Sequence, residues 1–338
     1  MVSVNTPPKS FDDLPDYDRL PNKARYWVWG SPGSPEEGLG MLNLLSPQHV
    51  ASCTAEIVTG DRVCLGWEFH ELDNPPFGRI PFNMKINQIA HEAFDDEYHF
   101  NPQQSSQWDG FRHHSQPVSL SLKVEDAMPS PGGDDCVWLG GTTREEVKET
   151  DRIGIHHWAK KGIVGRGILV DYAAWANVRG IRYSCFSLHT IPLQHILEVM
   201  KYYNVESKPG DILFVRIGLI EEWTGMSAEQ RAAYKRSSTP QHAGLEQSEE
   251  FLRWLWNSHF TAVASDAVSW EVFPPQKQSF RHHHYLLAGW GVPIGEMFNL
   301  DPLAELCHRL NRFSFFLASV PFNAVGGVSS APNAVAIF

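Results

Sequence analysis

Apolar and polar positions along this chain fall into two periods, and the two alternate. Ile163-Val-Gly-Arg-Gly-Ile-Leu-Val-Asp171, Ile212-Leu-Phe-Val-Arg-Ile-Gly218 and Ala262-Val-Ala-Ser-Asp266 are short apolar runs bounded by turn residues. Such runs are the pattern of strands buried on both faces. Asp61–Phe69 alternates as a half-buried strand would, Asn83–Phe94 is compatible with strand, and Arg312–Val320 closes the chain's body as another. Between them the period changes to that of helices. Ile191–Met200 places Leu193, Ile196, Leu197 and Met200 on one face, and Gly244–Trp256 carries Leu252, Leu255 and Trp256. Ile153–Lys161 (ended by Gly162), Ser227–Ser237, Phe280–Ala288 and Pro302–Leu310 (capped by Asp301) also read as helices. Ser46 followed by Pro47 marks a helix start. The expectation is a mixed α/β fold. Residues 1–39, rich in Pro, Gly and acids, read as an arm anchored on the body by Tyr26-Trp-Val-Trp29, and residues 40–338 as one continuous domain.

Composition narrows what this fold does. A net charge of -11 over 338 residues argues against nucleic acid, because phosphate backbones require clustered Lys and Arg. No apolar run is long enough to span a bilayer, and the first residues lack the apolar core of a signal peptide. Five widely spaced cysteines form neither a disulfide framework nor a thiolate zinc site. A cytoplasmic protein acting on a small molecule is the expectation, with no nucleic-acid or membrane partner. Gly-x-Ser-x-Gly, Gly-x-Gly-x-x-Gly and His-Glu-x-x-His are all missing from the sequence, so serine-hydrolase, dinucleotide and zincin chemistry lack support.

The densest candidate chemistry lies in Gln103-Gln-Ser-Ser-Gln107-Trp-Asp109-Gly-Phe-Arg-His113. On a strand running into a turn, Gln103, Gln107, Asp109 and His113 share one side. Carboxylate, imidazole and amide oxygen suit a zinc- or manganese-type cation, whereas a polar loop with a satisfied Asp is the plain alternative. A second place is His282-His-His284 with Glu296. Three consecutive histidines on a helix point about 100° apart, so one or two at most face a pocket. Glu296 stands in the apolar run Gly291–Phe298, where a carboxylate is costly unless paired, protonated or bound to a cation. Asp266 reads as a helix or turn cap, and Glu271 follows it at a strand end.

These residues resemble the cyclase family, which includes bacterial kynurenine formamidase, isatin hydrolase and the metal-dependent trans-dienelactone hydrolase. The usual family signature is His-x-Gly-Thr-His-x-Asp-x-Pro-x-His; here Gln103, Ser105, Ser106, Gln107, Asp109, Phe111 and His113 stand in those places. The version Gln-x3-Gln-x-Asp-x3-His is similar to the trans-dienelactone hydrolase branch. Gly40-Met-Leu-Asn-Leu-Leu45, Gly162–Tyr172, Gly210–Arg216 and His284–Glu296 resemble further family landmarks, in the right order. The resemblance implies a compact swivelling β/β/α domain, commonly a homodimer. It also implies one divalent ion, Mn or Zn with Mg as a third option, held by Asp109, His284 and Glu296 together with Gln103 or Gln107. His113 then matches the proton-transfer histidine. Trp108, Phe111, Arg112, His114 and Trp290 are the expected substrate contacts. The implied activity is hydrolysis of a lactone or cyclic amide of a small unsaturated or aromatic molecule. A ring-closing cyclase, dehydratase or isomerase, and a non-catalytic binding protein, are the alternatives.

Overall fold

A computed structural model describes residues 7–20, 29–72, 75–117 and 136–338. Nine strands form one mixed sheet, in the order Arg62–Cys64, Ala334–Ile337, Ser314–Ser319, Ile163–Asp171, Ile212–Arg216, Ala262–Ser265, Ile294–Glu296, Gln107–Asp109 and Ser329–Ser330. The four strands from Ile163–Asp171 to Ile294–Glu296 are parallel, and every other pairing is antiparallel. The apolar runs predict this centre. Ile212–Arg216, Ala262–Ser265 and Ile294–Glu296 are buried at every position, as strands covered on both faces must be. Gly295 is required by packing, since a Cβ there would lie 2.7 Å from the Ala264 methyl and 2.6 Å from the Phe298 ring. The neighbouring strands are thereby drawn close around Glu296.

The helices start where side chains can cap them. Ser46 accepts from the His49 amide with Pro47 in the first turn, and Ser227 closes a capping box with Gln230. Helix His156–Lys161 ends on Gly162, whose φ of 79° is open to glycine. Asp266 accepts from the amides of Ile217, Gly218 and Leu219, the capping role expected of it. Among the described residues no helix is long and apolar enough to cross a membrane.

Several expected elements differ. Asp61–Phe69 is paired only over Arg62–Cys64, while Asn83–Phe94 is half of a hairpin, Asn83–Ala90 with Ala93–His99, that forms its own two-stranded sheet. Gly244–Leu245 pairs with Thr190–Ile191, so the following helix begins only at Glu249, capped by Ser248. Leu197 is exposed rather than buried with its neighbours. Asp301 does not cap the last helix: it is the first helical residue and accepts from Arg216 Nε at 2.7 Å. The helix expected at Phe280–Ala288 is present but later and wider: a short turn at Gln278–Phe280 precedes helical residues from His282 that run into a π-helix over His284–Trp290. Of the arm's aromatic anchors, Tyr26 to Val28 lie outside the described residues. Trp29 is buried and donates to the Trp290 carbonyl at 2.7 Å.

His242 gives the fold an acid sensitivity. It is fully buried against the Tyr234 hydroxyl at 2.9 Å, and burial, helped by Arg79, pushes its imidazole down to about 4. An unfolded histidine titrates near 6.5, so between these values the unfolded chain binds the extra proton and stability falls as pH falls. A contribution of about 3 kcal/mol should be lost across that window. Chemical denaturation of His242→Phe at pH 7 and pH 4.5 should show a smaller loss than the wild type.

Candidate metal centre and its pocket

Strand alternation decides which side chains meet. Gln107–Asp109 runs antiparallel to Ile294–Glu296 with Gln107 opposite Glu296 and Trp108 opposite Gly295. Gln107, Asp109 and Glu296 therefore share one face, and Trp108 turns to the other. The chain then reverses, the His113 amide donating to the Gly110 carbonyl at 2.9 Å, and His113 comes back beside the strand it left. One Gln103 amide N–H reaches Asp109 Oδ1 at 2.6 Å, and the same nitrogen lies 3.1 Å from His113 Nδ1. Gln107 donates to Glu296 Oε2 at 2.7 Å and to Asp109 Oδ1 at 3.3 Å. All four residues of the expected cluster are thus brought together, but the glutamines hold the carboxylates instead of offering oxygens to a cation. An amide oxygen 2.6 Å from a carboxylate oxygen would be repelled, so the nitrogens must face inward.

The imidazole that joins them is His283, not His284. His283 Nε2 lies 3.3 Å from Glu296 Oε1 and 3.9 Å from Asp109 Oδ2, and its Nδ1 lies 3.0 Å from Glu271 Oε1. His284 is buried with its ring 5.2 Å from that of His114. His282 is buried too, accepting from the Trp270 indole at 3.0 Å. One of three histidines faces the centre, because consecutive side chains on a helical turn diverge.

The electrostatics are those of uncompensated charge. Burial and the neighbouring Asp109 carboxylate push Glu296 up to about 7. Burial resists charging His283, yet Glu271 and Glu296 together push its imidazole up to about 10. Burial also works against Glu271 ionising, but His283 and Arg281 bring its carboxyl down to about 2. His113 is pushed down to about 4 by burial despite Asp109, and His114 well below the usual range by burial and Arg281. Asp109 Oδ2 and Glu296 Oε1 are both buried without a hydrogen-bond donor. With His113 Nε2 3.9 Å from Asp109 Oδ2, two orphaned carboxylate oxygens and two imidazole nitrogens converge on one gap. Ligand atoms of Asp109, His113 and His283 all lie within 4.8 Å of one another. Buried anionic oxygens with no donor and a nearby imidazole nitrogen are what a divalent cation satisfies, so the residues fit one.

A cavity of about 380 Å³ opens onto this gap, lined by Gln103, His113, His114, Glu271, His283 and Glu296 on the polar side. Phe77, Phe273 and Pro275 form its apolar wall, and Arg79 and Arg281 supply two guanidinium groups. Of the expected substrate contacts only His114 lines it. Trp108 packs on Phe298 in the core, Phe111 on Trp158 and Trp290 on Trp256, and Arg112 donates to the Thr150 carbonyl at 2.8 Å. The alternation that places Gln107 and Asp109 in the site excludes Trp108 from it. Arg79, Glu271, Arg281, His283, Phe77 and Phe273 were not assigned to the site by sequence reasoning. Glu271 had a signal, its position at a strand end, while Arg79 and Phe77 sit in Pro75-Pro-Phe-Gly-Arg79, which has no period to read. A larger, open groove of about 770 Å³ beside Arg216 and Glu222 is different in kind. There Glu222 binds Ser184 and Cys185, and Arg216 pairs with Asp171 and Asp301.

Residues 44–272, more than half of the chain, match the Cyclase family model. The chain belongs to the Cyclase family. Its fold is that of a novel cyclase seen by crystallography, at 23% identity and TM-score 0.74, covering 92% of this chain and 99% of that one. Isatin hydrolase A from Labrenzia aggregata, bound to benzyl benzoate, is similar at 17% identity and TM-score 0.52, over 82% of this chain and 93% of that one. An isatin hydrolase bound to the product analogue thioisatinate is similar at 13% identity and TM-score 0.52, over 86% and 98%. A sequence comparison with curated proteins found no match. The mixed α/β architecture is thus that of a cyclase, and these likenesses are likenesses of fold.

Proposed function

We propose that this Cyclase-family chain is a metal-dependent hydrolase that opens a lactone or cyclic amide carrying an anionic group on an unsaturated or aromatic frame. The observation that supports this most is the convergence of Asp109 Oδ2 and Glu296 Oε1, both buried without a hydrogen-bond donor, on His283 Nε2 beside a cavity walled by Phe77 and Phe273. Asp109, Glu296 and His283 would hold the cation, which when bound supplies Lewis-acid chemistry, lowering the pKa of water and polarising a carbonyl. Glu271 faces Nδ1 of His283, so the proton sits there and Nε2 is left for coordination. Gln103 and Gln107 fix the two carboxylates. Manganese, zinc or magnesium each suits an oxygen-rich set with one imidazole.

Two adjacent histidines then divide the proton work. Gln103 must turn its amide nitrogen toward Asp109, so His113 Nδ1 accepts from it and the His113 proton lies on Nε2, facing the gap. His114 has the opposite tautomer: its Nδ1 lies 2.7 Å from the Ser115 carbonyl, which can only accept, so its Nε2 carries a lone pair. His114 is placed to accept a proton, and His113 to donate a hydrogen bond to an oxygen gaining negative charge. The proton shuttle expected of His113 alone becomes a pair. The pattern Gln-x3-Gln-x-Asp-x3-His resembles that of the trans-dienelactone hydrolase branch, and the resemblance supports a lactone as the substrate.

Charge selects the substrate. Asp109, Glu271 and Glu296 carry three negative charges when ionised, against four positive from a divalent cation, Arg79 and Arg281. The loaded pocket therefore favours an anion. Replacing Arg281 with Met should raise KM for a carboxylate-bearing lactone about 10- to 100-fold, the range of a lost charged hydrogen bond. The neutral methyl ester of the same lactone should be little affected, and an equal loss on both would remove this role. Turnover in oxygen-18 water tests the reaction itself: label in the product carboxylate supports hydrolysis, whereas unlabelled, rearranged product would replace it with isomerisation.

A further inference from the structure

Phe77, in the segment Pro75-Pro-Phe-Gly-Arg79, has φ 63° and ψ 22°, and Gly78 follows it at φ 66°. Two successive residues at positive φ form a turn that ordinarily takes Asn or Gly at its first place, because a bulky side chain there crowds its own backbone. Other residues of this chain at positive φ have a local reason for it. Asn204, Asn311 and Asn333 are of the type that tolerates the conformation, and Ile153, Trp270 and Met297 are buried, so packing holds them in it. Phe77 has neither reason: it is 48% exposed. Half-burial of one ring offsets little of such strain. Strained residues of this kind gather where a ligand is held.

Phe77 lines the cavity beside the metal centre, and there it meets a second ring. The centroids of Phe77 and Phe273 lie 5.2 Å apart with their planes at 85°, so the two make a corner. Both walls of it are backed. Phe273 stacks on His242 at 5.7 Å, and the two exchange backbone hydrogen bonds at 2.8 and 3.0 Å. The Arg79 guanidinium lies 5.2 Å from the centre of the Phe77 ring, and its Nη1 donates to the Gln103 carbonyl at 2.7 Å. We propose that Phe77 is a specificity-determining residue, held in its strained conformation so that a flat ring of the substrate lies on one wall of this corner and meets the other edge-on. Stacked and edge-on contacts are the two arrangements that aromatic rings favour, and a puckered, saturated ring of the same size gains neither. This deepens the proposed function and rests on its placing of the substrate in this cavity. It names the shape that the cavity reads, where charge alone would accept any anion.

Calorimetric titration of the full-length protein with benzoate and with cyclohexanecarboxylate, both with Mn2+ present, tests it. The two acids have the same charge and carbon number and differ in flatness, so any contribution of a bound cation or of Arg281 cancels in the ratio of their affinities. The wild type is expected to bind benzoate about 10-fold more tightly, the sum of one stacked and one edge-on contact. Phe77→Tyr should keep that ratio, and Phe77→Gly should bring it close to one. Thermal denaturation supplies the second readout. Glycine adopts the left-handed turn freely, so Phe77→Gly is expected to melt no lower than the wild type, whereas truncating an aromatic that serves the fold lowers Tm by several degrees. A wild-type ratio near one, or a preference for benzoate that survives in Phe77→Gly, would overturn the proposal. So would a Phe77→Gly protein that melts several degrees lower, since the ring would then serve the fold. Turnover is not read, so a chain that prefers flat acids but opens no lactone would refute the proposed reaction and leave this inference standing.

Discussion

Asp109→Ala is expected to abolish cation binding and to lower kcat/KM by about a thousand-fold or more, as removing a ligand that fixes a catalytic ion does. Asp109 faces four residues of the centre, Gln103, Gln107, His113 and His283. Its Oδ1 accepts from both glutamines, and its Oδ2 is the orphaned oxygen that faces His283 and His113. The same substitution should have an opposite effect on the cation-free protein. Asp109 is one reason that the Glu296 carboxyl is pushed up to about 7, so its removal lets Glu296 ionise more readily. Like-charge repulsion inside the fold is relieved. Thermal denaturation without cation should therefore show the variant no less stable than the wild type. Adding Mn2+ or Zn2+ should stabilise only the wild type, by about 2.7 kcal/mol at a hundred times the dissociation constant. A variant stabilised as much as the wild type would remove Asp109 from the centre. Metal analysis of both proteins reads the same outcome directly.

The parts of the fold that were legible in the sequence are those where one physical rule acts alone. Ile163–Asp171 occupies the residues its apolar run marks, because a strand buried on both faces needs nothing but apolar side chains and a turn at each end. Ser46, Ser227 and Gly162 mark helix ends because capping is local chemistry. The hairpin was read as one strand because its turn, at His91-Glu92, carries neither Gly nor Pro to interrupt the alternation. Gly244–Leu245 was read into a helix because its pairing partner, Thr190–Ile191, is more than fifty residues away. Local pattern holds no record of such a partner.

The site divides along the same line. Gln103, Gln107, Asp109 and His113 lie within eleven consecutive residues, so in-phase spacing on a strand brought them together on the page. The same alternation placed Trp108 on the opposite face. Its aromatic ring suggested a pocket wall, but a core tryptophan donating to Ser319 at 2.9 Å is what that face requires. Arg79, Glu271 and Arg281 come from three separate loops, and only tertiary packing makes them neighbours. The glutamines were legible as members of the cluster but not in their role, which depends on the carboxylates beside them.

The second large effect should separate two adjacent histidines. His283→Ala removes the imidazole 3.3 Å from Glu296 and is expected to abolish stabilisation by Mn2+ or Zn2+ and to lower turnover by two or more orders of magnitude. His284→Ala should cost the fold about 1–3 kcal/mol for a buried side chain with lost contacts, yet leave the cation response in place. Glu271→Gln supplies the intermediate case. It keeps a group of the same shape beside His283 Nδ1 but removes the charge that orients the ring, so cation affinity should fall about 10- to 100-fold. The ranking distinguishes this arrangement from the one that a regular α-helix through all three histidines implies. In such a helix the wide turn at His284–Trp290 would be absent, and the ring reaching Asp109 could be that of His284. Cation titrations followed by thermal denaturation on the three variants, at one pH, decide it. Loss of the response in His284→Ala with retention in His283→Ala would reverse the assignment. It would also release Glu271 from its place behind the ligand.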